Sequence, residues 1–113
     1  MKKFGIDYSQ VGSKAIVKIN GELDASTCVA ADSCLHKVVS LAVTTVAIDC
    51  QNLSYISSAG IGVLISVYHA CTLKGISLAL CGAQPKVRNV FQILGLHKVL
   101  DFKDSLQEEV SKS

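Results

Sequence analysis

Polar and apolar positions alternate at the start of the chain. "KFGIDYS" sets Phe4, Ile6 and Tyr8 on one face, and "KAIVKING" alternates Ile16 or Val17 with flanking lysines before Asn20-Gly21. Period two predicts two short strands, and the turn signal around Gly12 leaves only a tight connection, so the pair is antiparallel. After "GELDASTC" the period lengthens: Cys28, Ala31, Leu35, Val38 and Val39 recur at spacings of three and four, an amphipathic helix with Asp24 or Ser26 as its cap. The run from Val43 to Ile48 is β-branched and apolar on both faces, the pattern of a central parallel strand.

Ile61, Leu64, Ile65, Tyr68 and Cys71 mark a second helix that starts near Ser57 and Ser58 and closes at Lys74-Gly75. "ISLALCG" is another buried strand. "PKVRNVFQIL" places Pro85 at a first helical position, with a Val87, Val90, Phe91, Leu94 stripe and Gly95 as the stop. A brief strand "KVL" and a final helix carrying Leu106 and Val110 complete a β-β-α-β-α-β-α-β-α order. The crossover helices demand parallel neighbours. The fold class is therefore α/β: a mixed, mostly parallel sheet of about five strands with about four helices and one antiparallel edge strand. In such sheets the functional loops gather beyond the carboxyl ends of the parallel strands, here "GELD" and "CQNLSYISS", on one rim.

At 113 residues the chain reads as one domain over 1–113, and half its residues are hydrophobic against 18% charged, which excludes disorder. No apolar run reaches the ~20 residues of a membrane span, and no secretory leader pattern opens the chain, so a cytoplasmic protein is expected. Five cysteines without a CxxC pair read as small buried hydrophobes. Eleven scattered Lys and Arg, a net charge of +2 and no Trp supply neither a basic footprint nor a stacking platform, so no direct nucleic-acid partner is expected. An exposed sheet edge leaves the oligomeric state open.

The chemistry concentrates in "LSYISSAGIGVLI". A nucleophile elbow would read G-x-S-x-G, whereas Ile56 precedes Ser58 by two, and His36, His69 and His97 fall on helix surface or at a turn, away from a general-base position. Metal-ligand spacings are absent, and "SSAGIG" lacks the Lys or Arg of a phosphate-binding loop, so no metal or cofactor is expected. A serine there can cap the helix, which stabilises it by ~1 kcal/mol. Gly60 and Gly62 in the first turns cost about 0.5–1 kcal/mol each, so some body, this protein's own sheet or a partner, must approach that helix end closely. A phosphate on Ser58 would meet free N–H groups and the positive end of the helix dipole. The residues alone leave a docking site, a phosphosite, or both.

Three blocks in order, "INGELDAST", "VAIDCQNLSYISSAGIGVLISVYHACTLKGISLALCG" and "PKVRNVFQILGLHKVLDF", resemble the bacterial anti-sigma factor antagonists, the stand-alone STAS domains. The resemblance runs from about Ile6 to Val110. It implies a binding protein rather than an enzyme: unphosphorylated, it binds an anti-sigma factor that is also a serine kinase and so releases a sigma factor. The kinase phosphorylates a serine at the start of the second helix, and a serine phosphatase reverses this. Ser58 matches that serine. The family's aspartate, serine, serine or threonine, glycine, hydrophobic, glycine falls on Ser57, Ser58, Ala59, Gly60, Ile61 and Gly62, so Ser57 replaces the aspartate and Ala59 the second hydroxyl. Asp24 matches the acidic loop residue beside the acceptor. The resemblance thus implies a partner-binding surface of Asp24 and residues Ser57 to Gly62 with Ser58 as acceptor, and the position of Ser57 at the helix start makes it the cap. STAS domains that serve as unswitched scaffolds, or as cytosolic subunits of signalling or membrane transport assemblies, are the alternative.

Overall fold

A computed structural model describes residues 3–105. Six strands and three α-helices follow in the order β1 (Gly5–Val11), β2 (Lys14–Leu23), α1 (Cys28–Val39), β3 (Thr45–Asp49), β4 (Leu53–Ile56), α2 (Ser58–Lys74), β5 (Ser77–Cys81), α3 (Pro85–Ile93) and β6 (Asp101–Lys103). The sheet runs β1-β2-β3-β5-β6, with β1 antiparallel to β2 and the other pairings parallel. β4 is an addition to the expected set. It lies parallel to the last residues of β2, Gly21–Leu23, while β3 lies along the first, Lys14–Lys18. One ten-residue strand thus carries two short ones in tandem.

The chain end also differs from the pattern reading. Leu96–Lys98 form a 3-10 turn and the last strand is Asp101–Lys103, so "KVL" is the approach to the strand. The expected helix at Leu106 and Val110 lies outside the described residues.

Register explains which residues are buried. Ala15, Val17 and Ile19 of β2, Val46 and Ile48 of β3, and Leu78 and Leu80 of β5 point to one face, where they meet Ala31, Leu35 and Val38 of α1 and Leu64, Val67 and Cys71 of α2. Phe102 stands opposite Leu80, and its ring meets Phe91 of α3 edge-on at 5.3 Å. Burying a side chain of that size contributes roughly 1.5–3 kcal/mol. Ala47, Ala79 and Cys81, the intervening positions, form a separate small cluster. Of the five cysteines, Cys50, Cys71 and Cys81 are buried as expected, and Cys28 and Cys34 are half-buried. Burial pushes the Cys50 thiol up to about 12, which keeps it protonated.

α1 and α2 are tied at their carboxyl ends. Lys74 Nζ donates to the carbonyl of Val39 at the end of α1 (3.1 Å), and Gly75, at φ 71°, ends α2 while Ile76 N–H donates to Cys71 O. Among the described residues, no helix is long and apolar enough to cross a membrane.

Candidate functional site

β2 and β4 end side by side, because Leu23 pairs with Ile56 and the Ser57 N–H donates to Leu23 O at 2.9 Å. This bond places the Asp24 loop next to the start of α2. Ser57 occupies the N-cap in extended backbone, and its Oγ accepts from Gly60 N–H at a long 3.4 Å. Its C=O accepts from Ile61 N–H at 2.9 Å. Ser58 is the first helical residue, is exposed, and its hydroxyl makes no hydrogen bond among the described residues. The first turn carries no acidic side chain. A free hydroxyl therefore stands at the positive end of a 17-residue helix.

The two glycines serve different ends. A Cβ on Gly60 would lie 2.7 Å from Leu23 O, 2.8 Å from Leu23 Cγ and 2.9 Å from Ile56 Cγ1, so the bare backbone is what lets α2 start against β2 and β4. A Cβ on Gly62 would meet nothing within 4 Å. The cost of Gly62 has no origin in this chain's own packing. Gly62→Ala is expected to raise stability by about 0.5–1 kcal/mol, measured by urea unfolding. A loss of stability would mean that the helix start is strained against alanine. Ile61 is buried and Ala59 half-buried. Of the expected surface, Ser58 and Gly62 are therefore the exposed members.

Asp24 does not cap α1. Its Oδ1 accepts from the Ser26 hydroxyl (2.7 Å) and the Ser26 N–H (2.9 Å), a local turn that engages one carboxylate oxygen. Thr27 takes the N-cap position without a side-chain cap bond. Its Oγ1 instead donates to Glu22 O (2.8 Å) and accepts from the Asp24 N–H (2.9 Å), locking the loop. The Ser26 hydroxyl, opposed by desolvation and helped by the Ser26 and Thr27 amides, holds the Asp24 carboxyl below its ordinary 3.8. A lowered folded pKa means that this contribution to stability is present above the unfolded value and is lost as pH falls through the folded one. In an amide NMR titration, Ser26 and Thr27 are expected to move with a midpoint below 3.8, and a midpoint at or above 3.8 would show the carboxylate to be free.

Among the described residues, serine, histidine and carboxylate meet once, away from this rim. His36 Nε2 lies 3.2 Å from Ser66 Oγ and 3.3 Å from Asp32 Oδ1. Both contacts use one ring nitrogen, so Asp32 cannot orient the imidazole while the other nitrogen takes a proton from Ser66. The trio is a clasp between α1 and α2. Reading the sequence missed Tyr55, half exposed, which with Ile56, Lys86, Val87 and Val90 lines a cleft of about 90 Å³ between β4 and α3. Its only signal was an aromatic residue just before the serines.

The model of the STAS domain matches residues 6–109. The chain belongs to the STAS domain family. This STAS domain is similar to the anti-sigma F factor antagonist of Paenibacillus polymyxa, 29% identical over 100 residues that cover 80% of this chain and 78% of that protein. In fold it is similar to an anti-sigma factor antagonist from Mycobacterium paratuberculosis, with a TM-score of 0.88, 19% identity, and coverage of 96% of this chain and 92% of that one. It is also similar to the Bacillus cell fate determinant SpoIIAA in its phosphorylated form, with a TM-score of 0.76, 21% identity, and coverage of 96% and 98%.

Proposed function

We propose that this STAS domain is a cytoplasmic anti-sigma factor antagonist and not an enzyme. Unphosphorylated, it binds an anti-sigma factor that is also a serine kinase and thereby frees a sigma factor; phosphorylation of Ser58 ends the binding, and a serine phosphatase restores it. The observation that carries this reading is the division of the serine pair: Ser57 is engaged as the cap, while Ser58 is exposed and free at the first helical position. A kinase requires such a hydroxyl. The names of the relatives support the same class, and a neighbour whose structure was solved in a phosphorylated form supports the switch.

The docking surface centres on Ser58 and Gly62, with Ser57, Ala59, Gly60 and Ile61 setting the helix start and Asp24 the adjoining loop. The bare backbone at Gly62 lets a partner come close, which accounts for a glycine that this chain's own packing does not need. A phosphate at Ser58 adds about −1.5 to −2 charge to a surface of small residues, so a partner fitted to the neutral form is repelled. Because Ser57 caps without charge, the kinase meets a helix start with no acidic residue in its first turn.

Incubation with an anti-sigma factor kinase of this class and ATP, followed by intact-mass and fragment analysis, is expected to place one phosphate on Ser58. A phosphate on Ser57, or none, would overturn the assignment.

A further inference from the structure

The sheet ends in two unlike edges. β6 has three residues, with Asp101 and Lys103 at its ends. β1 has seven, Gly5–Val11, of which five are exposed, and it pairs with β2 residue for residue without a bulge. Edge strands are usually blunted by shortness, lysine, proline or a bulge. Among the described residues β1 has none of these and a single charged side chain, Asp7, so its outer row of backbone donors and acceptors is a template for another strand.

We propose that β1 pairs antiparallel with β1 of a second copy of this chain, about a two-fold axis at Tyr8, joining two sheets into one. This surface is separate from the Ser58 rim, and the inference stands independently of the proposed function. Only the register centred on Tyr8 opposes all seven residues: Tyr8 meets Tyr8 of the other copy, Asp7 meets Ser9, Ile6 meets Gln10 and Gly5 meets Val11. No like charges face one another. Shifting the centre to Asp7 would set two carboxylates directly opposite, which destabilises a strand pair. Tyr8, 39% exposed, lies opposite Val17 and so on the helix-bearing face, where pairing would cover it.

The helix layer accommodates the pairing. α1 packs over β1 and β2. With strands ~4.8 Å apart, the two α1 helices would stand about 10 Å apart across the axis, near the 8–10 Å of packed helices. Helical spacing from buried Ala31, Leu35 and Val38 and from Asp32 and His36, which face α2, sets Ala30, Cys34 and Lys37 on the side toward β1. Burial raises the Cys34 thiol, Lys37 lowers it and the Asp7 carboxylate of β1 raises it, which agrees with that placement. Ala30 and Cys34, one turn apart, are small enough for close approach.

Sedimentation velocity on the full chain at high micromolar concentration tests the pairing. The wild type is expected to form a dimer. Ser9→Lys, which puts a cation opposite Asp7 twice, should tighten it about 3-fold, and Ser9→Asp, which puts carboxylates opposite carboxylates, should weaken it about 10-fold. Ser9 is exposed, so both variants are expected to keep the wild-type circular dichroism spectrum. A wild type that stays monomeric would overturn the proposal. So would Ser9 variants that leave the dimer unchanged or shift it in the same direction.

Discussion

Gly60→Ala is expected to destabilise the protein by about 2 kcal/mol, the upper end, about 3 kcal/mol, of the cost of forcing a methyl group into a packed site less the ~1 kcal/mol helix-propensity gain of alanine over glycine. The added Cβ meets Leu23 O at 2.7 Å, and that oxygen is backbone. It cannot rotate away as a side-chain tip would. The same oxygen accepts the Ser57 N–H, so relieving the clash stretches the bond that holds the helix start against the Asp24 loop. For a chain of this length, a fall in melting temperature of about 8 °C should be seen by calorimetry. An unchanged or raised melting temperature would mean that α2 has room to slide. The contrast with Gly62→Ala is informative, because opposite signs at two glycines two residues apart follow from their surroundings and not from propensity.

Ser58→Asp is expected to weaken binding to the proposed anti-sigma factor kinase at least about 100-fold, a loss of roughly 2.7 kcal/mol, while Ser58→Ala stays within a few-fold of wild type. A carboxylate at an interface made for a neutral hydroxyl must lose its water without gaining a partner. At a helix N-terminus the same charge is favourable, so Ser58→Asp should be more stable than wild type by about 0.3–1 kcal/mol. Lost binding in a stabilised protein cannot come from unfolding. Isothermal titration calorimetry of both variants against the kinase decides it: equal binding by both would favour an unswitched scaffold over a switch.

Much of the fold was legible because the deciding forces are local. The three- and four-residue spacing from Cys28 to Val39 marks α1 over the span it occupies, since an amphipathic helix must repeat at that period to bury one side. Lys74-Gly75 ends α2 because only a residue at ease in left-handed backbone closes the last turn there. β4 was not legible. Four residues between a turn and a helix become a strand only when Gly21–Leu23, more than thirty positions earlier in the chain, lie alongside. The α1 cap was misread for a related reason: Asp24 has the right chemistry for capping, but its Oδ1 is held by Ser26 and Thr27 takes the position.

The candidate site divides in the same way. Residue types alone placed two serines and two glycines at a helix start and excluded a nucleophile elbow, because these follow from spacing along one segment. They could not assign one glycine inward and the other outward, nor join the Asp24 loop to Ser57. Those assignments rest on the Leu23–Ile56 pairing and the 2.9 Å bond from Ser57 N–H to Leu23 O, contacts between residues far apart in the chain. Periodicity and turn chemistry act over a few residues and are written in the sequence; close approach is decided only when the packed sheet brings distant backbones together.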